Sequence, residues 1–509
     1  MKFNRFFNLF SAVLMACMLA FVAASCGDDP EDDIPSPPAH NTTVTEASII
    51  DLLSSDAITD EIPFKATENW RVTSDADWCT VSPTQGTAGS KTITVTITEN
   101  LSSEPRSAHI KITSIDNQNY SNTITIIQPA MEAKPAPEED KNAPEGMKSP
   151  ASVLVTKINV GWNLGNTCEA GIWDGWSGDD LDIETNWLNP KVKTSKAMFT
   201  ALKNAGFNAV RIPTRWTVHA DADMNINARW LARVKEIVDY AVSQDMYVIL
   251  NSHHDNWYDR LPVGYNEADI HKKYENMWKQ IATYFKDYDE HLIFAGANEI
   301  ISVNGSSENW GNPSASDYKF VNSLMQLFVN TVRATGGNNE WRNIMVQPWA
   351  CNPSFAIDDK FVLPTDTKEN RLIVEYHCYD PYNYAIGKGQ SGNQWAQHEP
   401  SQADLNYVAN NFAKLNAKFI SKGVPCIMAE FGSTQDNSYS KGNDAADKIR
   451  ADYHKFIVSE AKKYDIPGFY WDNYCFTTTG ENFGLLDRKN CNFPARAQIA
   501  LKGIMDGLN

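Results

Sequence analysis

The sequence is short of positive charge, has only one long apolar run and contains no closely spaced cysteine pair. Its 509 residues include 45 Lys and Arg against 63 Asp and Glu, a formal net charge of −18. A surface of that sign repels phosphate backbones and argues against a nucleic-acid-binding protein. The nine cysteines form no C-x-x-C motif, which argues against a zinc ribbon or a disulfide-held miniature fold. With 42% hydrophobic and 21% charged residues, the chain has the composition of a globular protein with a substantial core.

The one long apolar run lies at the N-terminus. Lys2 and Arg5 precede an apolar stretch from Phe6 to Ala24, and acidic sequence follows Cys26. This is the form of a secretory signal, and it is too short for a mature membrane anchor. The AASC run that ends at Cys26 resembles a bacterial lipoprotein signal, in which the cysteine becomes the lipidated first residue. The acidic stretch 27–33 resembles the export tag of Bacteroidetes surface lipoproteins.

Residues 1–25 are therefore predicted to be a signal peptide, with Cys26 carrying lipid. The expected location is the outer membrane, with the protein facing outward. An ordinary cleaved signal followed by an unmodified cysteine is the alternative.

Two segments read as linkers because they are rich in Pro and charged residues and have no apolar period: 26–44 and 131–148. Between them, residues 45–130 carry short runs of alternating polarity, such as 92–98 (TITVTIT) and 109–113 (HIKIT), bounded by turn residues. This pattern predicts a small all-β, immunoglobulin-like sandwich.

The 45–130 segment resembles the BACON module of Bacteroidetes proteins. The resemblance lies in Asn69-Trp70, in the DWCTV run at 77–81 and in the closing IIQP at 126–129. The family's name implies carbohydrate binding, for which Trp70 or Trp78 offers a flat face. Both tryptophans also sit beside apolar positions of strand-like runs, so we expect core packing and a spacer role instead.

The remainder of the chain, 149–509, alternates short apolar runs with amphipathic helical segments. That rhythm predicts βα units and a parallel sheet. Eight such runs over this length indicate a (β/α)₈ TIM barrel with enlarged loops. The runs are 158–165, 209–213, 247–254, 292–299, 343–350, 372–380, 426–432 and 468–474.

In such a barrel the active site lies at the C-terminal ends of the strands, so polar residues near those ends are the candidates. They place a carboxylate at the ends of both the fourth and the seventh strand, with basic, amide and aromatic groups between. The candidates are Asn163, Arg211, His253, His254, Asn298, Glu299, His377, Tyr379, Glu430 and Trp471.

Two carboxylates that face each other across a barrel mouth indicate glycoside hydrolysis, in which one acid donates a proton while the other stays ionised. Glu430 is the predicted nucleophile, kept ionised by Arg211 and the hydroxyl of Tyr379. Glu299 is the predicted acid/base, with a pKa raised by burial and by the nearby negative charge. If configuration is retained, the two carboxyl groups should lie about 5–5.5 Å apart.

The other candidates are assigned supporting roles. Asn298 is expected to donate to the sugar 2-hydroxyl, and Trp471 to offer a flat face at the cleavage point. Glu375, nearer mid-strand, is the rival carboxylate and is interpreted as a buried structural acid. His253 and His254 resemble a metal pair, but neighbours on a strand point to opposite faces, so no metal is expected.

The set resembles glycoside hydrolase family 5, the cellulase family of clan A barrels. The resemblance rests on GWNLGNT at 161–167, VRIP at 210–213, NSHHD at 251–255, YHCYDP at 376–381, EFG at 430–432 and WDN at 471–473. The opening motif, NWLNP at 186–190 and NFGLLDR at 482–488 look most like the subfamily of endo-β-1,4-glucanases, lichenases and xyloglucanases. Cys168 and Ile300 depart from the family pattern at positions where Leu and Pro are common.

The resemblance implies a retaining, metal-independent endo-β-1,4-glucanase that works through a covalent glycosyl-enzyme and needs no cofactor. The expected partner is a β-glucan or hemicellulose polysaccharide, and the expected state is a monomer. A β-mannanase is an alternative within the same chemistry. A non-catalytic glycan-binding lipoprotein is an alternative of another class, disfavoured because Glu299 and Glu430 are both present. Several tryptophans in predicted loops are expected either to line the cleft or to pack the loops: Trp173, Trp176, Trp257, Trp310, Trp349 and Trp395.

Overall fold

The computed structural model describes residues 43–44, 49–52, 54–55, 57–100, 102, 104–118, 120–130, 138–170, 184–185, 191–389, 393–476 and 480–509. The signal peptide, Cys26, Trp173, Trp176 and the 186–190 motif lie outside these residues. The chain divides into two compact units, residues 1–133 and 134–509. Within the described part, no helix is long and apolar enough to cross a membrane.

The first unit consists of two β-sheets. Its strands are β1 Thr43–Val44, β2 Ile49–Asp51, β3 Ile58–Ala66, β4 Trp70–Ser74, β5 Cys79–Ser82, β6 Gln85–Gly86, β7 Gly89–Ile97, β8 Arg106–Ser114 and β9 Ser121–Gln128. One sheet has the order β1-β3-β7-β5 and the other β2-β9-β8-β4-β6. Alternate residues of both sheets form one apolar core, as the period-2 pattern predicts. The last two residues of the predicted linker 26–44 are not linker but the strand β1, which pairs with β3.

The two tryptophans of this unit differ in their surroundings. Trp70 is fully buried, packs edge-on against Phe64 and donates its Nε1 hydrogen to the carbonyl of Thr87. Its predicted place in the core is confirmed. Trp78 is half-buried, and the guanidinium of Arg106 lies 4.2 Å from its ring centroid. One face of Trp78 is therefore covered by a cation rather than offered to a sugar.

The second unit is a closed barrel of eight parallel strands, which confirms the predicted TIM fold. The strands are β10 Gly161–Leu164, β11 Ala209–Ile212, β12 Tyr247–Asn251, β14 Leu292–Ala295, β17 Ile344–Val346, β18 Leu372–Cys378, β19 Cys426–Phe431 and β20 Gly468–Asp472. A small sheet of β13 Arg260–Pro262, β15 Ile301–Asn304 and β16 Ser307–Asn309 is built from the loops after β12 and β14.

The helices pack around this barrel. They are α1 Ala151–Thr156, α2 Lys196–Asn204, α3 Ala228–Val242, α4 Asn256–Asp259, α5 Glu267–Tyr284, α6 Ala315–Ala334, α7 Pro353–Ala356, α8 Tyr382–Ala385, α9 Gln402–Lys418, α10 Asn443–Lys462 and α11 Ala495–Asp506. Capping boxes of Ser314 with Asp317 and of Ser401 with Asp404 start α6 and α9.

Alternation along each strand sorts its residues between two cores. Ile249 of β12 belongs to an inner core, whereas its neighbours Val248 and Leu250 pack outward against the helices. Burial on both faces explains why the strands appear in the sequence as continuous apolar runs. The same alternation sends Glu375 and His377 of β18 inward, while Tyr376 and Cys378 join the outer core.

The second predicted linker, 131–148, is corrected by the structure in its C-terminal half. Met147 is fully buried, and Arg371 donates to the carbonyl oxygens of Met147 and Ser149 at 2.8 Å. Two residues further on, α1 contributes Ala151 and Leu154 to the inner barrel core. The polar composition of the segment hid these contacts, because they are made mostly by its backbone. Residues 131–137 lie outside the described part.

Candidate active site

A cavity of about 640 Å³ opens at the C-terminal ends of the barrel strands. Eight of the ten residues predicted for the site line it: His253, His254, Asn298, Glu299, His377, Tyr379, Glu430 and Trp471. The other two, Asn163 and Arg211, are fully buried and support the residues that line the cavity. The residues chosen at the strand ends therefore lie together, at this cavity or buried beside the side chains that line it.

Glu430 is held by two donors, one on each carboxylate oxygen. Arg211 Nη1 donates to Oε1 at 2.7 Å, and the Tyr379 hydroxyl donates to Oε2 at 2.8 Å. These are the two partners predicted from the sequence. The two donors fix the orientation of the carboxylate.

Arg211 connects the candidate nucleophile to the barrel interior. It also donates to Asn163 Oδ1 at 3.0 Å, to Asn298 Oδ1 at 2.8 Å and to Glu375 Oε1 at 3.2 Å. Glu375 is fully buried, as expected for a structural acid rather than a reacting one. The planar guanidinium thus orients four side chains at once.

Glu299 pairs with His377, whose Nδ1 lies 2.7 Å from Glu299 Oε1. Burial raises the pKa of Glu299, but the hydrogen bond and charge of His377 outweigh burial and hold that pKa below its usual value. Burial lowers the pKa of His377, but the charge of Glu430, the neighbouring sulfur of Cys351 and the bond to Glu299 raise it well above the ordinary value. The predicted rise in the pKa of Glu299 is therefore wrong for this structure, and the contacts of the pair favour a proton on His377.

The backbone of Glu299 is held in an unusual conformation. Its φ is +39°, in the left-handed region that residues with a Cβ seldom adopt. Its N–H donates to the Cys351 sulfur at 3.4 Å, and its carbonyl accepts from Arg260 Nη1 at 3.0 Å. Contacts from two different loops therefore fix the direction in which the carboxyl group points.

The two candidate catalytic carboxylates are close together. One carboxylate oxygen of Glu299, one of Glu430 and a ring nitrogen of His377 all lie within 4.8 Å of one another. Retaining glycosidases hold their carboxyl groups about 5–5.5 Å apart, and inverting ones about 6.5–9.5 Å. The spacing fits the retaining geometry.

His253 and His254 both line the cavity, which corrects the expectation that they point to opposite faces. The strand β12 ends at Asn251, and His254 has a φ of +56°, so strand alternation no longer applies. The His253 ring lies parallel to Trp471 at a centroid distance of 5.8 Å. Burial lowers the pKa of His253 well below its ordinary value and the pKa of His254 to about 3. Both rings are therefore neutral hydrogen-bonding groups.

The rim of the cavity contains residues that strand-end reasoning missed. Trp310, which is 40% exposed, follows β16; its Nε1 donates to Glu308 Oε2 at 2.8 Å, and Arg260 lies 5.1 Å from its ring centroid. Glu481 also lines the cavity, where burial and the charges of Glu299 and Glu430 raise its pKa. In the sequence, only the tryptophans of the predicted loops indicated that residues outside the strand ends line the cavity.

The other loop tryptophans that the structure describes lie away from the cavity or beneath it. Trp349 is fully buried, and Trp257 donates its Nε1 hydrogen to Thr217. Trp395 is 69% exposed but does not line the cavity.

Two groups of possible metal ligands occur among the described residues, and both lie in this site. One is Cys351 with Glu375 and His377, and the other is Glu299 with His377 and Glu430. Neither includes His253 or His254. The seven cysteines of the described part are all free thiols: Cys79, Cys168, Cys351, Cys378, Cys426, Cys475 and Cys491.

Comparison with known families agrees with this geometry. A model for "Cellulase (glycosyl hydrolase family 5)" matches residues 173–476. A model for BACON, described as "Putative binding domain, N-terminal", matches residues 68–129.

Similar proteins of known activity are endoglucanases. Endoglucanase B of Ruminococcus albus is 39% identical over 357 residues, which cover 70% of this chain and 80% of that enzyme. Endoglucanase A of Clostridium longisporum is 37% identical over 350 residues, and the alignment spans 67% of this chain but only 63% of that enzyme. A xyloglucan-specific endo-beta-1,4-glucanase of Bacteroides ovatus is 33% identical over 453 residues, 86% of each chain.

Solved structures share the same architecture. The Bacteroides ovatus GH5 xyloglucanase in complex with a XXXG heptasaccharide has a TM-score of 0.63 and 30% identity, and the match covers 91% of this chain and 98% of that one. A GH5 lichenase from Caldicellulosiruptor in complex with cellotetraose has a TM-score of 0.64 and 35% identity, covering 74% and 99%.

Proposed function

The chain belongs to glycosyl hydrolase family 5, the cellulase family, and from that membership we propose that it is a retaining endo-β-1,4-glucanase with Glu430 as nucleophile and Glu299 as acid/base. One observation carries the assignment of roles. Glu430 is fixed by Arg211 and Tyr379, whereas Glu299, close by, is paired with a group that can supply a proton, His377. A nucleophile must stay ionised, and an acid/base must be able to change its protonation state.

In the first step, Glu430 attacks the anomeric carbon and forms an ester with the sugar. The glycosidic bond breaks, and its oxygen leaves with a proton from Glu299. The Glu299–His377 pair holds one proton, which passes from His377 Nδ1 to Glu299 over 2.7 Å before it reaches the leaving group. The pair is then one proton short.

In the second step, Glu299 acts as a base. It takes a proton from a water that attacks the anomeric carbon, so the ester bond to Glu430 breaks and the sugar leaves with retained configuration. The pair regains the proton that it lost, and Glu430 is again a carboxylate. Each group thus ends the cycle in its starting state.

The sugar at the cleavage point is held by neutral and aromatic groups. The Oδ1 of Asn298 already accepts from Arg211, so its amide N–H group is left to donate to the sugar 2-hydroxyl. Trp471, backed by the parallel His253 ring, supplies an apolar face for the pyranose. Apolar stacking and neutral hydrogen bonds suit an uncharged polysaccharide.

The proposed substrates are plant β-glucan backbones: xyloglucan, mixed-linkage glucan or cellulose-like chains. The support is the similarity to a xyloglucan-specific endoglucanase that spans 86% of both chains, together with the likeness to a lichenase bound to cellotetraose. A β-mannanase and a non-catalytic glycan-binding protein are the competing hypotheses.

The decisive experiment is a product profile on xyloglucan, mixed-linkage β-glucan, carboxymethylcellulose and mannan, with Glu430→Gln as the blank. We expect mid-sized oligosaccharides to be released rapidly from a glucan, and proton NMR of the first products to show the β-anomer. Cleavage of mannan alone would make the protein a mannanase. Retention on polysaccharide gels without any cleavage would make it a binding protein.

We also propose that the mature protein is a monomeric lipoprotein, anchored through Cys26 to the outer membrane and facing outward. The support is the N-terminal sequence, in which an apolar run ends in AASC and acidic residues follow. Metabolic labelling with a fatty acid should mark the wild type and not Cys26→Ala, and protease added to intact cells should degrade the wild type. A labelled Cys26→Ala protein would contradict the anchor.

A further inference from the structure

A thiol, an imidazole and a carboxylate meet beneath the acid/base residue. Cys351 lies in the turn after β17, and Glu375 and His377 lie on the inward face of β18. One ligating atom from each of the three lies within 4.8 Å of the other two, and all three side chains are buried. The catalytic cycle described above uses neither the Cys351 thiol nor the Nε2 atom of His377.

Two polar atoms of this cluster have no hydrogen-bond partner although they are buried: His377 Nε2 and Glu375 Oε2. Nε2 lies 3.7 Å from Glu375 Oε1 and 3.6 Å from Glu430 Oε1, too far for hydrogen bonds. Nitrogen and oxygen ligands bound at 2.0–2.1 Å to one tetrahedral ion stand about 3.3 Å apart, close to these separations. His377 Nε2 therefore lies from the Glu375 carboxylate at a separation close to that of two ligands on one ion.

We propose that Cys351 Sγ, His377 Nε2 and a carboxylate oxygen of Glu375 form an inhibitory site for a thiophilic divalent cation of the Zn²⁺ type. One thiolate, one imidazole and one carboxylate are ligands that Zn²⁺ prefers, whereas Mg²⁺ and Ca²⁺ take oxygen ligands. The Nδ1 of His377 already bonds Glu299, and a carboxylate on the second ring nitrogen is the usual support of a zinc-bound histidine. The ion reaches the site through the cavity, which Cys351 and His377 both line.

Binding of the divalent cation in exchange for protons leaves the net charge of the site unchanged. The ion brings two positive charges, and two protons leave: one from the Cys351 thiol and one from His377 Nε2. The site therefore keeps its net charge, and Arg211, which donates to Glu375 Oε1, faces no more positive charge in total than before.

Binding of the ion stops the proton transfer that hydrolysis needs. With the metal on Nε2, the ring can release its Nδ1 proton only by becoming an imidazolate anion. Glu299 then has no donor for the leaving group. The proposal goes beyond the glucanase assignment, because metal binding can be measured without any substrate.

The test uses the tag-free full-length protein, Co²⁺ as a spectroscopic probe and Zn²⁺ as the inhibitor. Co²⁺ should produce a thiolate-to-metal charge-transfer band in the wild type, and Zn²⁺ should remove it. The band should disappear in Cys351→Ser and persist in Cys378→Ser, a matched control whose buried thiol faces the outer core. Zn²⁺ should inhibit β-glucan hydrolysis, and Mg²⁺ at the same concentration should not.

The half-inhibitory Zn²⁺ concentration, expressed relative to each variant's own metal-free rate, should rise at least about tenfold in Cys351→Ser, since even supporting partners of metal ligands are worth 10–100-fold in affinity. Equal inhibition of Cys351→Ser and the wild type, or a Co²⁺ spectrum without the thiolate band, would overturn the proposal. If Cys351→Ser does not fold, Zn²⁺ should still protect Cys351 of the wild type from alkylation, as read by mass spectrometry. Unprotected Cys351 would be equally decisive against the site.

Discussion

Replacing Glu299 by Gln should separate the two chemical steps of the proposed mechanism. The amide can still accept the hydrogen bond that His377 Nδ1 makes at 2.7 Å, and its volume is almost unchanged. Only the capacity to donate and accept a proton is lost. A change in rate then reports on proton transfer rather than on a distorted site.

The expected magnitude depends on the leaving group. General acid catalysis contributes about 100- to 10,000-fold, so hydrolysis of a polysaccharide, whose leaving group needs a proton, should slow by that factor. A dinitrophenyl cellooligosaccharide needs no proton for its departure, so its first step should stay fast. The second step lacks its base, and the glycosyl-enzyme should accumulate as a burst of about one dinitrophenol per enzyme. Azide, which attacks without general base help, should restore turnover and give a β-glycosyl azide.

Glu375→Gln is the matched control, because Glu375 is the rival carboxylate and also contacts Arg211. Glu375→Gln should slow the hydrolysis of both substrates by a similar factor, with no burst and no azide rescue. The reason is that Glu375 acts by orienting Arg211. A burst and azide rescue in Glu375→Gln, and their absence in Glu299→Gln, would refute the assignment of the acid/base.

Three further changes test the proton pair, the rim and the fold. His377→Gln removes the group that carries the proton of the pair, so Glu299 alone must hold that proton and the alkaline limb of kcat/KM on β-glucan should move to lower pH; an unmoved or raised limb in pH-rate profiles would contradict the pairing. Trp310→Ala should raise KM for cellotetraose about 2- to 13-fold, if the indole stacks on sugar with about 0.5–1.5 kcal/mol, and an unchanged KM in steady-state assays would exclude that contact. Gly503→Ala should destabilise the barrel by about 1–3 kcal/mol in denaturant unfolding, because its Cβ would lie 2.2 Å from a backbone carbonyl oxygen of α10. Gly311→Ala, with nothing within 4 Å, is its control and should leave the unfolding midpoint unchanged.

The barrel and most of its site were predictable because their signals are local. A parallel strand buried on both faces must be apolar along its whole length, and the first polar residue after it faces the C-terminal rim. The run 426–432 illustrates this: it corresponds to β19 Cys426–Phe431, and Glu430 near its end lines the cavity. The run 343–350 predicted a strand that is too long. The strand β17 ends at Val346, and a 3₁₀ turn, Trp349–Cys351, follows it.

The orientation of Glu430 depends on an irregularity that sequence patterns do not carry. Strict alternation places Ala429 and Glu430 on opposite faces of β19, yet Ala429 lies in the inner core and Glu430 also points inward to Arg211. The pairing of β19 with β20 shifts register between Met428 and Phe431, which marks a bulge at this point. A bulge of this kind turns a side chain toward a site that alternation would deny it.

The direction of the Glu299 pKa shift could not be predicted either, because it depends on a partner that is distant in the sequence. Burial and a second carboxylate, both inferred from the sequence, raise the pKa of an acid. The deciding partner, His377, lies 78 residues away in the chain and comes within 2.7 Å only through barrel closure. Its charge is in turn favoured by Glu430, at 3.6 Å from Nε2. As Glu430 becomes an ester in the first step, that support is lost, so His377 gives up its proton more readily when the leaving group needs it. The charge of the nucleophile therefore acts on the acid/base through the histidine between them, and a lowered alkaline limb in His377→Gln is the expected sign that this histidine carries the proton.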